Sequence, residues 1–447
     1  MKKLIYIAAG LNLPILAYAD LNKVPGMTEP QAAAAAAIQT VCPKLAQMQT
    51  RTAAQTDLFF RCREMIQTSN AQQGVGPTQF SLGLSEAELR NVLQLVAPEE
   101  AAIQGSNAMQ NVAKASLRAV GSRLSALRRG ARGVKLSALE LDLDGKKFSA
   151  AQLFGTQAQG GAASADGTSR IGAYANVSYN SGDRSATSRE DGFDFDGMGI
   201  TLGADYRFTD NLVAGVAANY NKTDVDIDLG LGNVETQSNS LSLYGTYYSG
   251  AFYVDGHANF GRNEYDTSRT IVYPTVSRVA KGSTDGNQYT LNLGAGYDIA
   301  RGSFTFTPYG RIEYLNLKID GYSESGADGL DLLIEGQRIK SLQSALGVQA
   351  SYSHSASWGI LTPQLRVEWI HEFKNNNRGI VAKYVNDPFD TFFAVPTDDP
   401  DRNYFGIGAG VSATFPNGVS AFINYETVQG LRHVDHHSLM GGVRLEF

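Results

Sequence analysis

Near the carboxy-terminal end, His433, Asp435, His436 and His437 fall within five residues and offer the donor types that hold zinc. Strand alternation would divide them between two faces, so the sequence assigns no metal. Asp255 and His257 stand two residues apart, on one face of a strand, as in a hydrolytic dyad; a polar lining is the competing reading. Gly321 to Ser325 approaches a nucleophile elbow without completing it, and His371-Glu372 lacks the second histidine of a zincin motif. There is no phosphate-binding glycine loop. The sequence thus assigns no catalytic residue and no cofactor.

A different pattern recurs. Arg-x-Glu-aromatic occurs at Arg311 to Tyr314, Arg366 to Trp369 and Arg444 to Phe447. In a strand each copy puts both charges on one face and the aliphatic and aromatic residues on the other. Charges removed from water need partners. Asp255, Arg311, Glu313, Arg366, Glu368, Arg444 and Glu446 are therefore expected on one enclosed face.

The elements that would position them are strands. Twelve alternating runs extend from about 170–181 to 434–447. Every second connection is tight: Thr209-Asp210, Ser249-Gly250, Arg301-Gly302, the Ser355 region and Pro416-Asn417. The others are mostly long and polar, among them the stretch between runs 251–263 and 285–300, and the longest, Lys374 to Asp401. Tyr289, Leu291, Leu293, Ala295 and Tyr297 share one face; Thr290, Asn292, Gly294 and Asp298 share the other. An apolar face with aromatic ends, and short turns opposite long loops, predict an all-β transmembrane barrel of twelve antiparallel strands over residues 146–447.

Upstream the period is helical. Residues 1–19 have a basic start (Lys2, Lys3), an apolar Leu4 to Leu16 and the small-x-small Ala17-Tyr18-Ala19, which predicts an export signal and hence a secretion translocon as partner. Residues 20–104 carry helical spacing over Gln31 to Met48 and Thr56 to Thr68, then a Ser85/Glu88 capping box opening a third helix. An exported chain with two cysteines predicts a Cys42–Cys62 disulfide between the first two helices, contributing about 3 kcal/mol. Residues 105–145 are a basic helix and linker. Between Ala101 and Leu139 lie seven basic residues and no acid, Lys114, Arg118, Arg123 and Arg128 among them. Within the 105–133 helical stretch, Asn107 to Arg129 is 23 residues, roughly 35 Å as helix and long enough to thread a lumen lined with carboxylates; a solvated or membrane-surface amphipathic helix is the plainer reading. A net charge of −6 argues against nucleic acid.

Taken together the chain resembles the autotransporter family of type V secretion. The resemblance is carried by Asn111 to Leu124, by Arg366 to Phe373, by the loop from Pro388 to Val395, and by the ending from His437 to Phe447. It covers about 105–447. It implies a lumen-threading pore helix, surface presentation of what precedes it, and an assembly signal at Val443, Leu445 and Phe447 read by the β-barrel assembly machinery. The expected setting is the bacterial outer membrane, with lipid around a monomer and the amino-terminal module at the cell surface or in the periplasm. Two departures stand out. The family's usual long β-helical or catalytic passenger is replaced by the helical 20–104 module, and the Asn-Asn junction of self-cleaving members is absent, so an uncleaved protein is expected. An outer-membrane hydrolase, or a pore or adhesin acting through loop residues such as Phe389 to Phe393, remain the rival readings.

Overall fold

The structure is a computed structural model that describes residues 20–98, 101, 103, 115–128, 140–143, 146–149, 170–374, 379–415 and 419–446. The export signal, Lys114 and Phe447 lie outside the described residues, as does the side chain of Glu446.

Alternation produces the sheet. Strands β1 (Ile171–Arg184), β2 (Phe193–Thr209), β3 (Leu212–Ile227), β4 (Gly232–Ser249), β5 (Phe252–Tyr273) and β6 (Val276–Tyr297) form the first half. Strands β7 (Phe304–Ile319), β8 (Gln337–Tyr352), β9 (Gly359–Glu372), β10 (Asn403–Thr414), β11 (Val419–Gln429) and β12 (Val434–Glu446) form the second. Each pairs antiparallel with the next, and β12 pairs with β1 from Val434↔Arg184 to Glu446↔Gly172, closing a barrel. Closure removes every long sheet edge, which lipid would otherwise leave unsatisfied.

The outside is apolar. Leu241, Leu243, Leu291, Leu293, Ile312, Leu346 and Leu365 point outward with more than half of their surface accessible. Ringed pairs mark the upper and lower limits, with Phe260 on Tyr289 at 5.1 Å and Phe304 on Tyr352 at 4.7 Å. An outward wall of this kind is stable only against lipid.

Two connections differ from the sequence expectation. The stretch between runs 251–263 and 285–300 is no loop: β5 and β6 each run 22 residues and turn at Pro274-Thr275. The extra length is polar because it has left the bilayer, so alternation there lacks the lipid-facing signature. The Lys374 to Asp401 connection contains strands Gly379–Tyr384 and Phe393–Pro396, which join Tyr322–Ser323 and Leu332–Ile334 in a four-stranded sheet over the long-loop mouth. The described tight turns sit one residue further on than expected, at Asp210-Asn211, Gly250-Ala251 and Gly302-Ser303, and the Ser355 region is strand with its turn at Ser357-Trp358.

The amino-terminal module is three helices: α1 (Glu29–Gln47), α2 (Ala53–Gln73) and α3 (Glu86–Leu95). Each opens with a reciprocal capping box, Thr28 with Gln31, Thr52 with Gln55 and Ser85 with Glu88. α2 stops on Gly74 in the left-handed region at φ 66°. Cys42 and Cys62 are disulfide-bonded, their Cα atoms 5.8 Å apart, joining α1 to α2. A fourth helix, α4 (Ala115–Arg128), covers part of the expected 105–133.

Candidate functional site

The site is the lumen and its mouth. α4 lies inside the barrel. Val120, Leu124 and Leu127 on one of its faces pack against Tyr174 of β1, Val213 and Ala217 of β3 and Tyr244 of β4. Ala119 meets Phe422 and Met440 of β11 and β12. The inner wall is therefore not uniformly polar, as the alternation suggested: it carries an apolar strip that receives the helix.

The basic face of α4 meets the lumen charges. Arg123 and Asp205 are both buried and form a two-pronged ion pair at 2.7 and 2.8 Å. The Tyr244 hydroxyl donates to the same carboxylate at 3.0 Å. Gly172 makes room, since a Cβ there would stand 2.0 Å from an Arg123 nitrogen and 2.6 Å from an Asp205 oxygen. Arg128 pairs with Asp255 and stacks on the Tyr253 ring. Arg118 donates to Asn180 at 3.3 Å. Arg444 of β12 donates to the Ser122 hydroxyl at 2.7 Å.

Opposite the helix the wall charges pair with one another. Arg311 donates to Glu368 at 3.1 and 2.9 Å and to Glu313 at 2.7 Å; the Tyr309 hydroxyl donates to Glu368 at 2.8 Å. Arg366 pairs with Glu426 at 2.7 Å. These groups line a cavity of about 210 Å3 beside α4. Asp255, Arg311, Glu313, Arg366 and Glu368 thus all face inward, with Arg444. Asp205, Glu426 and Tyr244 were missed, because none sits in the Arg-x-Glu repeat; the inward parity of Asp205 within β2 was the available signal.

The hydrolytic dyad is not assembled. Asp255 engages Arg128, and neither ring nitrogen of His257 has a hydrogen-bond partner among the described residues. His436 points inward and stacks on Phe195, whereas His437 points outward against Tyr425. Among the described residues no grouping of His, Cys, Asp or Glu could hold a metal. Ser323 lies in the mouth sheet, and its neighbour Glu324 is spent on a buried pair with Arg269.

The mouth is capped. Helices α1 to α3 share one apolar core with Ile271, Tyr273 and Val276 of the β5–β6 hairpin and with Leu332, Ile334, Ile380, Ala382 and Val395 of the loop sheet. Arg278 binds Asp57 of α2 at 2.6 and 3.0 Å, and the Gly329 N–H donates to Asp57 at 3.1 Å. Arg189 of the β1–β2 loop pairs with Glu29 at 2.9 Å, and Arg269 donates to the Leu95 carbonyl at 2.7 Å. Burial pushes the Asp57 carboxyl up, but the Arg278 hydrogen bond, the Gly329 N–H and the charges of Arg278 and Arg61 outweigh it and hold the group below its ordinary value. Below the cap, Ile103 sits among Phe193, Phe195, Val225, Ile227, Val234 and Val434 at the long-loop ends of the strands. Arg128 meets Asp255 near the short-turn end. The described residues therefore place the module over the mouth, Ile103 just within it and α4 in the lumen, with Arg128 of α4 toward the short turns.

A closed barrel greased outside, charged inside and occupied by its own helix defines an outer-membrane translocator type of protein. The autotransporter beta-domain profile matches residues 173–426, more than half of the chain, and the chain belongs to that family. It is similar to outer membrane protein A of Rickettsia rickettsii, 27% identical over 283 residues, covering 60% of this chain and 12% of the relative. It is also similar to esterase EstA of Pseudomonas aeruginosa, 27% identical over 183 residues, 40% of this chain and 28% of the relative. The chain thus spans a small part of these relatives' length. The translocator domain of autotransporter NalP from Neisseria meningitidis has the same fold, with TM-score 0.53 and 19% identity, covering 78% of this chain and all of that one. The protein is an outer-membrane autotransporter barrel.

Proposed function

We propose that the barrel carries the 20–104 module through its own lumen and then holds it, folded, on the outer mouth, with α4 left behind as plug and tether. The observation that carries this is the placement of three described pieces: the module on the long-loop face, Ile103 at the strand ends below it, and α4 in the lumen paired with Asp205 and Asp255. A helix leaving the lumen would give up its packing, the buried ion pair with Asp205 and the part-buried pair with Asp255, so retention is the stable end state. In this reading the chain is no enzyme. One relative is named an esterase, yet its match covers little of that protein's length. The lumen arginines and carboxylates are used in pairing rather than chemistry. Export through the translocon, insertion by the assembly machinery through Val443, Leu445 and Phe447, and a monomer in lipid complete the proposal. Protease added to intact cells should cut within residues 20–98 and leave a membrane-protected barrel. A module that stays whole until the outer membrane is opened would place it in the periplasm.

A further inference from the structure

Above the apolar belt, the outer wall is not electrically uniform. On β7 to β9 the belt ends at Tyr314, Leu342 and Phe373, which are register neighbours: Tyr314 faces Leu342, and the Leu342 carbonyl accepts from the Phe373 N–H. The next outward positions toward the loops are Lys340 and then Lys318 with Arg338, all exposed. Lys318 stands directly across the ladder from Arg338. Side chains so opposed have Cβ atoms about 5 Å apart, and like charges there repel. Lys318 reaches Asp320, but Arg338 and Lys340 make no ion pair among the described residues. On the far wall, at the same height, the positions are acidic instead: Asp183 faces Asp435 and Asp194, and Asp194 faces Asp226. The basic sector is therefore a local feature and not a ring.

We propose that Lys318, Arg338 and Lys340 bind the phosphate groups of a phosphorylated glycolipid of the outer leaflet, its acyl chains lying on the apolar wall beneath. Two residues along a strand advance about 7 Å, so the cations stand within the thin headgroup layer bordering the hydrocarbon. Asp320 offsets Lys318 alone, and an anion beside Arg338 and Lys340 supplies the counter-charge that those two lack among the described residues. The assignment to the outer leaflet rests on the proposed surface position of the long loops.

The test uses the full chain purified in detergent, where orientation in the cell plays no part, so its failure is separate from failure of that reading. Lipid A carrying both phosphates is added, and retention is followed by native mass spectrometry. The phosphate-free lipid and inorganic phosphate as competitor form the other arms. Wild type should prefer the phosphorylated lipid, and Lys318→Gln with Arg338→Gln and Lys340→Gln should weaken retention about a hundredfold. Asp194→Asn with Asp226→Asn on the far wall should not weaken it. Equal retention by the triple variant, or displacement of the lipid by equimolar inorganic phosphate, overturns the proposal. Wild type supplies a second check, because retention must fall with added salt and a salt-independent signal would also overturn it.

Discussion

At the residue scale the lumen is held by charges that no longer see water. Arg123 has no exposed side-chain surface and Asp205 retains 3%. Removing one partner leaves the other buried and unpaired, which costs about 3–5 kcal/mol. Asp205→Ala should lower the unfolding midpoint of the purified barrel accordingly. Arg123→Met combined with Asp205→Leu should recover most of that loss, because an apolar pair of similar volume removes the uncompensated charge. At the mouth, Asp57 sets an acid limit. A carboxyl held below its ordinary value near 3.8 contributes its full share of docking stability above that value. The share is lost as pH falls through the lowered value. Hydrogen exchange of α2 should accelerate across that acid window, and Asp57→Asn should remove the dependence. Of these residues Arg123 and Asp255 were legible in the sequence, the first from a basic helical run and the second from strand parity. Asp205 was not, since one inward aspartate among many gives no pattern until the helix lies beside it.

The elements divide by what alternation can report. The twelve barrel strands were readable because one face must meet lipid, and every strand repeats that demand. The outer ends of β5 and β6 were misread as a loop for the same reason: outside the bilayer neither face need be apolar. The loop sheet was unreadable because strands of two to six residues carry too few alternations. The helices of the module were placed and the third one's Ser85/Glu88 start was read, but the first two start at the unread Thr28/Gln31 and Thr52/Gln55 boxes. The module has a small core of its own and leans on the disulfide and on the mouth. Replacing both Cys42 and Cys62 by serine should cost about 2–5 kcal/mol and expose α1 and α2 to protease while the barrel stays intact. Gly329→Val tests the dock separately. A Cβ there would stand 2.2 Å from the Leu58 backbone nitrogen, so α2 must lift. Exchange of α2 amides should rise with the disulfide still formed.

For the whole molecule, one chain serves as wall, plug and cap. The wall is fixed by lipid outside and ion pairs inside, the plug by Arg123 and Arg128, and the cap by a core shared between α1–α3 and the loops. Cap and plug are separable in sequence, which allows the claim about the lumen to be isolated. Single-channel conductance in planar bilayers should stay near that of the full chain when residues 20–104 are deleted, because α4 still fills the bore. Deleting 20–133 should open a stable, larger conductance. Equal conductance of the two deletions would contradict an occupied lumen.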